Sequence, residues 1–163
     1  MAAARLGWTR KANGGTHHMK PITTWILLAD AHSAHVVLHE GPGKPLSKVD
    51  TMDWTAKALP DHADQPGRSF SSMGPGSSAM TKGDRGAQAE MAFARTIAAD
   101  LDRTLRKQAI DRVVLIAAPH MLGALRDALD PGVMAKVTHQ IDKDLMKVPL
   151  HDLARHLDGV VVI

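Results

Sequence analysis

Apolar and polar positions along the chain switch between two periods, and the switches divide it into elements. Ile22–Ala29, read as Ile-Thr-Thr-Trp-Ile-Leu-Leu-Ala, has the length and the β-branched and aromatic composition of a strand ending at Asp30. Asp30-Ala31-His32-Ser33 predicts a tight turn, because Asp and Ser side chains cap nearby backbone. His35–Glu40 then reads as the hairpin partner of the first strand. Gly41-Pro42-Gly43 breaks it, and Leu46–Trp54 alternates well enough for a third strand. From Thr55 to Arg85 the chain turns to Gly, Pro, Ser and Asp with little apolar period. Some 30 residues of loop within a compact domain mark a segment that is mobile or functional. Helical spacing takes over at Gly86–Lys107. There Met91, Ala94, Ile97, Ala98, Leu101 and Leu105 form a core-facing stripe, with Arg95, Asp102, Arg103 and Arg106 mostly outside it.

Val113–Ala118 is apolar throughout, the pattern of a parallel-sheet strand covered on both faces. Pro119 ends it and can open a helix, since its missing N–H would lack a partner in the first turn anyway. Leu122, Leu125 and Leu129 follow at helical spacing, with Arg126 and Asp127 on the other side. A further strand is predicted near Lys136–Ile141. Pro149 opens the last helix, with Leu150, Leu153, Ala154 and Leu157 on its apolar face, and Val160–Ile163 is expected to add a short final strand. The β-β-β-α-β-α-β-α order predicts an α/β fold: a mixed five-stranded sheet with helices on its faces. Ribonuclease-H-like domains and related translation-machinery components have this arrangement.

Charge narrows the picture. The net charge is +3, and residues 1–18 carry all of it, as Arg5, Arg10 and Lys11 with no acid. Residues 1–19 are therefore expected to be a flexible extension, and 20–163 a single domain of zero net charge with a long loop at 55–85. Such a domain is not a strongly basic nucleic-acid binder, although a local patch can still act. The absence of cysteine excludes disulfides, thiolate metal sites and a thiol nucleophile, which suits a cytoplasmic protein.

Several chemistries fail for want of residues. A ribonuclease-H-type nuclease needs carboxylates converging on two metal ions. Asp30 and Glu90 stand near two of the positions, but Ala117, Ala118 and His120 occupy the third, and none is a hard oxygen ligand. His32, His35 and His39 lie close in sequence, yet His35 and His39 are about 13 Å apart along a strand, too far for one ion. They read as solvated or edge-strand histidines, and neither metal nor cofactor is expected. The loop serines have no Gly-x-Ser-x-Gly elbow, and Gly74-Pro75-Gly76 lacks the Gly-Lys-Ser/Thr of a phosphate loop. Asp64-Gln65-Pro66-Gly67-Arg68-Ser69-Phe70 is more specific. Pro-Gly sets a turn, Arg68 projects a donor fork and Phe70 adds a ring. The segment suits a clasp for phosphate, carboxylate or nucleic-acid backbone; equally, Arg68 can pair with Asp61 or Asp64 while Phe70 anchors the loop.

Leu28-Ala29-Asp30, the Asp64–Phe70 loop, Phe93-Ala94-Arg95, Ala117-Ala118-Pro119 with Leu122-Gly123 and Leu125-Arg126, and Lys143-Asp144-Leu145 fall in one order. Together, over about residues 20–158, they resemble the bacterial host-attachment family, named as required for attachment to host cells. That family is similar in turn to the middle domain of archaeal and eukaryotic peptide-chain release factors. In release factors a Gly-Gly-Gln tip precedes a long helix and helps water attack peptidyl-tRNA. The resemblance places Gly86-Ala87-Gln88 there, with Ala87 where the second glycine would stand, and alanine resists the positive φ such a tip uses. It implies a cytoplasmic, non-catalytic domain with an RNA- or ribosome-associated role. Its contact surface would be loop 55–88, with Asp64, Gly67, Arg68, Phe70, Lys82, Arg85, Lys143 and Asp144 as binding residues. The alternatives are a peptidyl-tRNA or ester hydrolase acting through Gln88, and a protein-interaction or regulatory module affecting attachment physiology.

Overall fold

The computed structural model describes residues 20–57 and 82–161. Five strands form one mixed sheet: β1 (Thr24–Ala29), β2 (Ser33–His39), β3 (Ser47–Thr55), β4 (Arg112–Ala117) and β5 (Val137–Ile141), in the order β3-β2-β1-β4-β5. β1–β2 and β2–β3 pair antiparallel, whereas β1–β4 and β4–β5 pair parallel. Four helices complete the fold: α1 (Lys82–Leu105), α2 (Pro119–Ala128), the single turn α3 (Pro131–Met134) and α4 (Leu150–His156).

Strand alternation divides the core into two layers. Trp25, Leu27 and Ala29 of β1 and Val113, Leu115 and Ala117 of β4 pack with Phe93, Ala94, Ile97 and Leu101 of α1 and with Met121, Leu122 and Leu125 of α2. The intervening residues Ile26, Leu28, Val114 and Ile116 face the other way, against Leu145, Leu153 and Leu157. With helices over both faces, the central strands carry unbroken apolar runs instead of an alternating pattern. β3 is tied down from its far edge, where the Trp54 indole N–H donates to Asp100 of α1 at 2.8 Å.

The elements start and stop for local reasons. Gly41 breaks β2 with φ of +113°, and a Cβ there would lie 3.1 Å from that of Pro21, so only glycine fits. Pairing of β2 with β3 slips between His35 and Val37, whose partners are Asp53 and Lys48. An ion pair between Lys48 and Asp53 spans the resulting bulge. α3 has a legible start that the hydrophobic period conceals: Asp130 accepts from the Gly132 N–H at 2.8 Å and Pro131 follows at the first helical position.

Two boundaries differ from expectation. α1 begins at Lys82 and not at Gly86, four residues earlier than the sequence predicts. Val160 and Val161 form no strand. Their N–H groups donate to Leu157 O at 2.9 and 3.0 Å, closing the end of α4, and their side chains pack on the α4-side core.

Candidate functional site

Topology gathers the described candidate residues at one end of the sheet. β1, β4 and β5 are parallel, so their C-terminal ends lie together. β2 begins at that end and β3 finishes there, being antiparallel in turn. α1 crosses back from the same end to the start of β4. The end therefore collects Asp30–Ser33, Ala56–Lys57, the first turns of α1, Ala118–His120 and Asp142–Asp144. In open α/β sheets, ligands bind beyond the carboxyl ends of the strands.

α1 stands above this rim. Its 24 residues span about 36 Å at 1.5 Å each. The fully buried run extends only from Phe93 to Leu105, about 18 Å, which matches the height of a six-residue strand. The residues before Met91 thus carry the helix roughly 13 Å past the packed layer. Arg85, Gly86, Ala87 and Gln88 are exposed on this projection, and Lys82 opens it.

Gly86-Ala87-Gln88 therefore lies inside helical turns and not on an extended tip ahead of them. Gly86 has helical backbone, and a Cβ built on it meets nothing within 4 Å. Gly86→Ala is accordingly expected to stabilise the domain by about 0.5–1 kcal/mol, through helix propensity alone. Urea unfolding checks this, and a loss of stability would show that the position needs glycine's backbone freedom.

Asp30 caps the turn between β1 and β2. Its Oδ1 accepts from the N–H of His32 and of Ser33, each at 2.7 Å, and from the Ser33 hydroxyl at 3.2 Å. Partial burial alone would raise this carboxyl, but those hydrogen bonds and the His32 charge outweigh it and hold the pKa below its usual 3.8. With the folded value depressed, the stabilisation is present above the unfolded pKa and is lost as pH falls through the folded one. Thermal melts between roughly pH 2 and 6 should show that loss, and Asp30→Asn should remove part of the dependence. An unchanged profile would contradict the assignment.

Among the described residues, no three His, Asp or Glu side chains are placed to hold a metal ion. His32 is exposed, and His35 is half-buried with its pKa lowered by burial and by Lys48, against the pull of Asp53. The expectation of solvated or edge-strand histidines fails for His39. β2 is internal to the sheet, His39 is 1 % exposed, and neither ring nitrogen has a hydrogen-bond partner among the described residues. Nothing in the sequence marked that burial, since strand alternation puts His35 and His39 on one face without saying what covers it.

Lys143 and Asp144 do reach the rim. Both are exposed, Asp144 accepts from the Met146 N–H at 3.1 Å, and Leu145 anchors the turn in the core. His120 is exposed at the start of α2, beside Pro119. Asp64, Gly67, Arg68 and Phe70 lie outside the described residues. The described chain leaves the rim at Lys57 and resumes at Lys82, at the top of the α1 projection.

With this geometry in place, the chain matches over residues 25–157 the model of a family described as "Protein required for attachment to host cells". The chain belongs to that family. The match takes in the whole of the described sheet except Thr24, and every described helix. No curated protein matches the chain. Among the described residues, no helix of this host-attachment domain is long and apolar enough to cross a membrane.

Proposed function

We propose that this host-attachment domain is a cytoplasmic, non-catalytic binding domain for RNA or a ribosome-linked partner, with residues 55–88 as its contact surface. The projection of α1 above the rim carries the reading. It presents Arg85 and Gln88 to solvent, with Lys57, His32, His120 and Lys143 exposed on elements that end at the rim. Arg68, Lys82 and Arg85 make the phosphate contacts, and Phe70 stacks or anchors. Strand order also supports it: three antiparallel strands followed by two parallel ones, in the order β3-β2-β1-β4-β5, agree with a ribonuclease-H-like, translation-component-like architecture.

Zero net charge on residues 19–163 makes strong non-specific attraction unavailable, so binding should depend on a few phosphate contacts and weaken modestly with salt. Fluorescence anisotropy with a labelled RNA, over a salt series, tests the proposal. A linear fall of log affinity with log salt supports it, and no binding at low salt would end it.

A further inference from the structure

The outer face of α1 is charged in a way that the zero net charge hides. At about 100° per residue, Arg85, Gln88, Ala92, Arg95, Thr96, Ala99 and Arg103 fall in one sector roughly 100° wide, opposite Phe93, Ile97 and Leu101. Arg106 continues the line just past the helix end. All eight residues are exposed, and the sector contains no carboxylate. The acids of α1 sit elsewhere. Glu90 is on the core side, Asp100 accepts from Trp54, Asp84 flanks the sector in the first turn, and Asp102 flanks it further on and pairs with Arg106. Arg103 pairs with Asp100 at 3.3 Å, whereas Arg85 and Arg95 have no acidic partner among the described residues. From Arg85 to Arg106 the line runs about 32 Å.

From this we infer that the outer face of α1 is a docking ridge for the phosphate backbone of an RNA duplex. The polarity of the partner follows from the charge, since four arginines line the ridge while Asp84, Asp100 and Asp102 lie to its sides. Its form follows from what lies between the arginines. Ala92, Thr96 and Ala99 are small and let a backbone approach the helix closely, and the sector carries no aromatic ring on which unpaired bases could stack. A straight row of guanidinium groups on a rigid helix matches a rigid polyanion, each fork gripping phosphate oxygens. The surface ion pairs of Arg103 and Arg106 are exchangeable for phosphate, because exposed pairs contribute little. Naming the polyanion as RNA rests on the function proposed above, but the ridge is a separate surface that extends that site down the helix.

The test is binding of a 20-base-pair RNA duplex to the full chain and to Arg95→Ala/Arg103→Ala over a salt series. The double variant should bind about tenfold more weakly, with the slope of log affinity against log salt shallower by about two. Arg95→Lys/Arg103→Lys, which keeps the charge, should keep the slope, so a fold defect cannot mimic the result. Wild-type affinity in the alanine variant overturns the ridge. So does tighter binding of the matching single strand, or equal binding of poly-glutamate, which would make the partner an acidic protein. If Arg68→Ala/Arg85→Ala abolishes binding while the ridge variant does not, the ridge fails and the proposed function stands. If no RNA binds, both fail.

Discussion

Leu115→Ala is expected to destabilise the domain by about 2–5 kcal/mol, and Ile116→Ala by a similar amount. Both residues lie on β4 at the centre of the sheet and are 0 % and 1 % exposed. Neighbours in sequence, they point into different layers: Leu115 into the core under α1 and α2, Ile116 into the one under Leu145, Leu153 and Leu157. Each truncation removes transfer energy and leaves a cavity that the surrounding side chains fill only in part. The two defects lie on opposite faces, so their costs should come close to adding. Urea unfolding of the single and double variants checks this. A loss much under 1 kcal/mol at either position would mean that one face of the sheet is not packed, and the two-layer core would be disproved.

The second large effect concerns binding. Arg68→Ala/Arg85→Ala should reduce affinity for RNA or ribosomes about 100-fold, on the order of 1.5 kcal/mol for each charge-assisted hydrogen bond to phosphate that the alanines remove. Arg85 is exposed on a helix whose core packing begins at Met91, so its removal should leave the fold intact. Affinity measured at two salt concentrations, with circular dichroism as a control on folding, gives the answer. Unchanged binding would remove residues 55–88 as the contact surface.

Much of the architecture can be read in the sequence, because the central strands and the core stripe of α1 are specified by burial. Val113–Ala117 reads as a doubly covered strand because it is one, Ala118 falling instead to the cap of α2, and Ile97, Leu101 and Leu105 are buried as their spacing predicts. Positions decided by the backbone read less well. Lys82–Arg85 belong to α1 although Gly83 and Gly86 look like loop, since apolar period says nothing about exposed turns above the core. His39 is buried by its neighbours in space, which a sequence does not name. Val160 and Val161 look like a strand because short apolar runs fit several structures, and here they finish a helix. The candidate site follows the same logic. Asp30 is legible as a turn former, whereas the gathering of Lys57, Arg85, His120 and Lys143 at one rim depends on strand order.

Whether the folded domain joins the translation machinery is tested most directly by co-sedimentation with ribosomes across a salt series. The protein should pellet with ribosomes at low salt, be released as salt rises, and stay in the supernatant when Arg68 and Arg85 are both alanine. A protein that never pellets, or pellets equally well without those arginines, would contradict the proposed role.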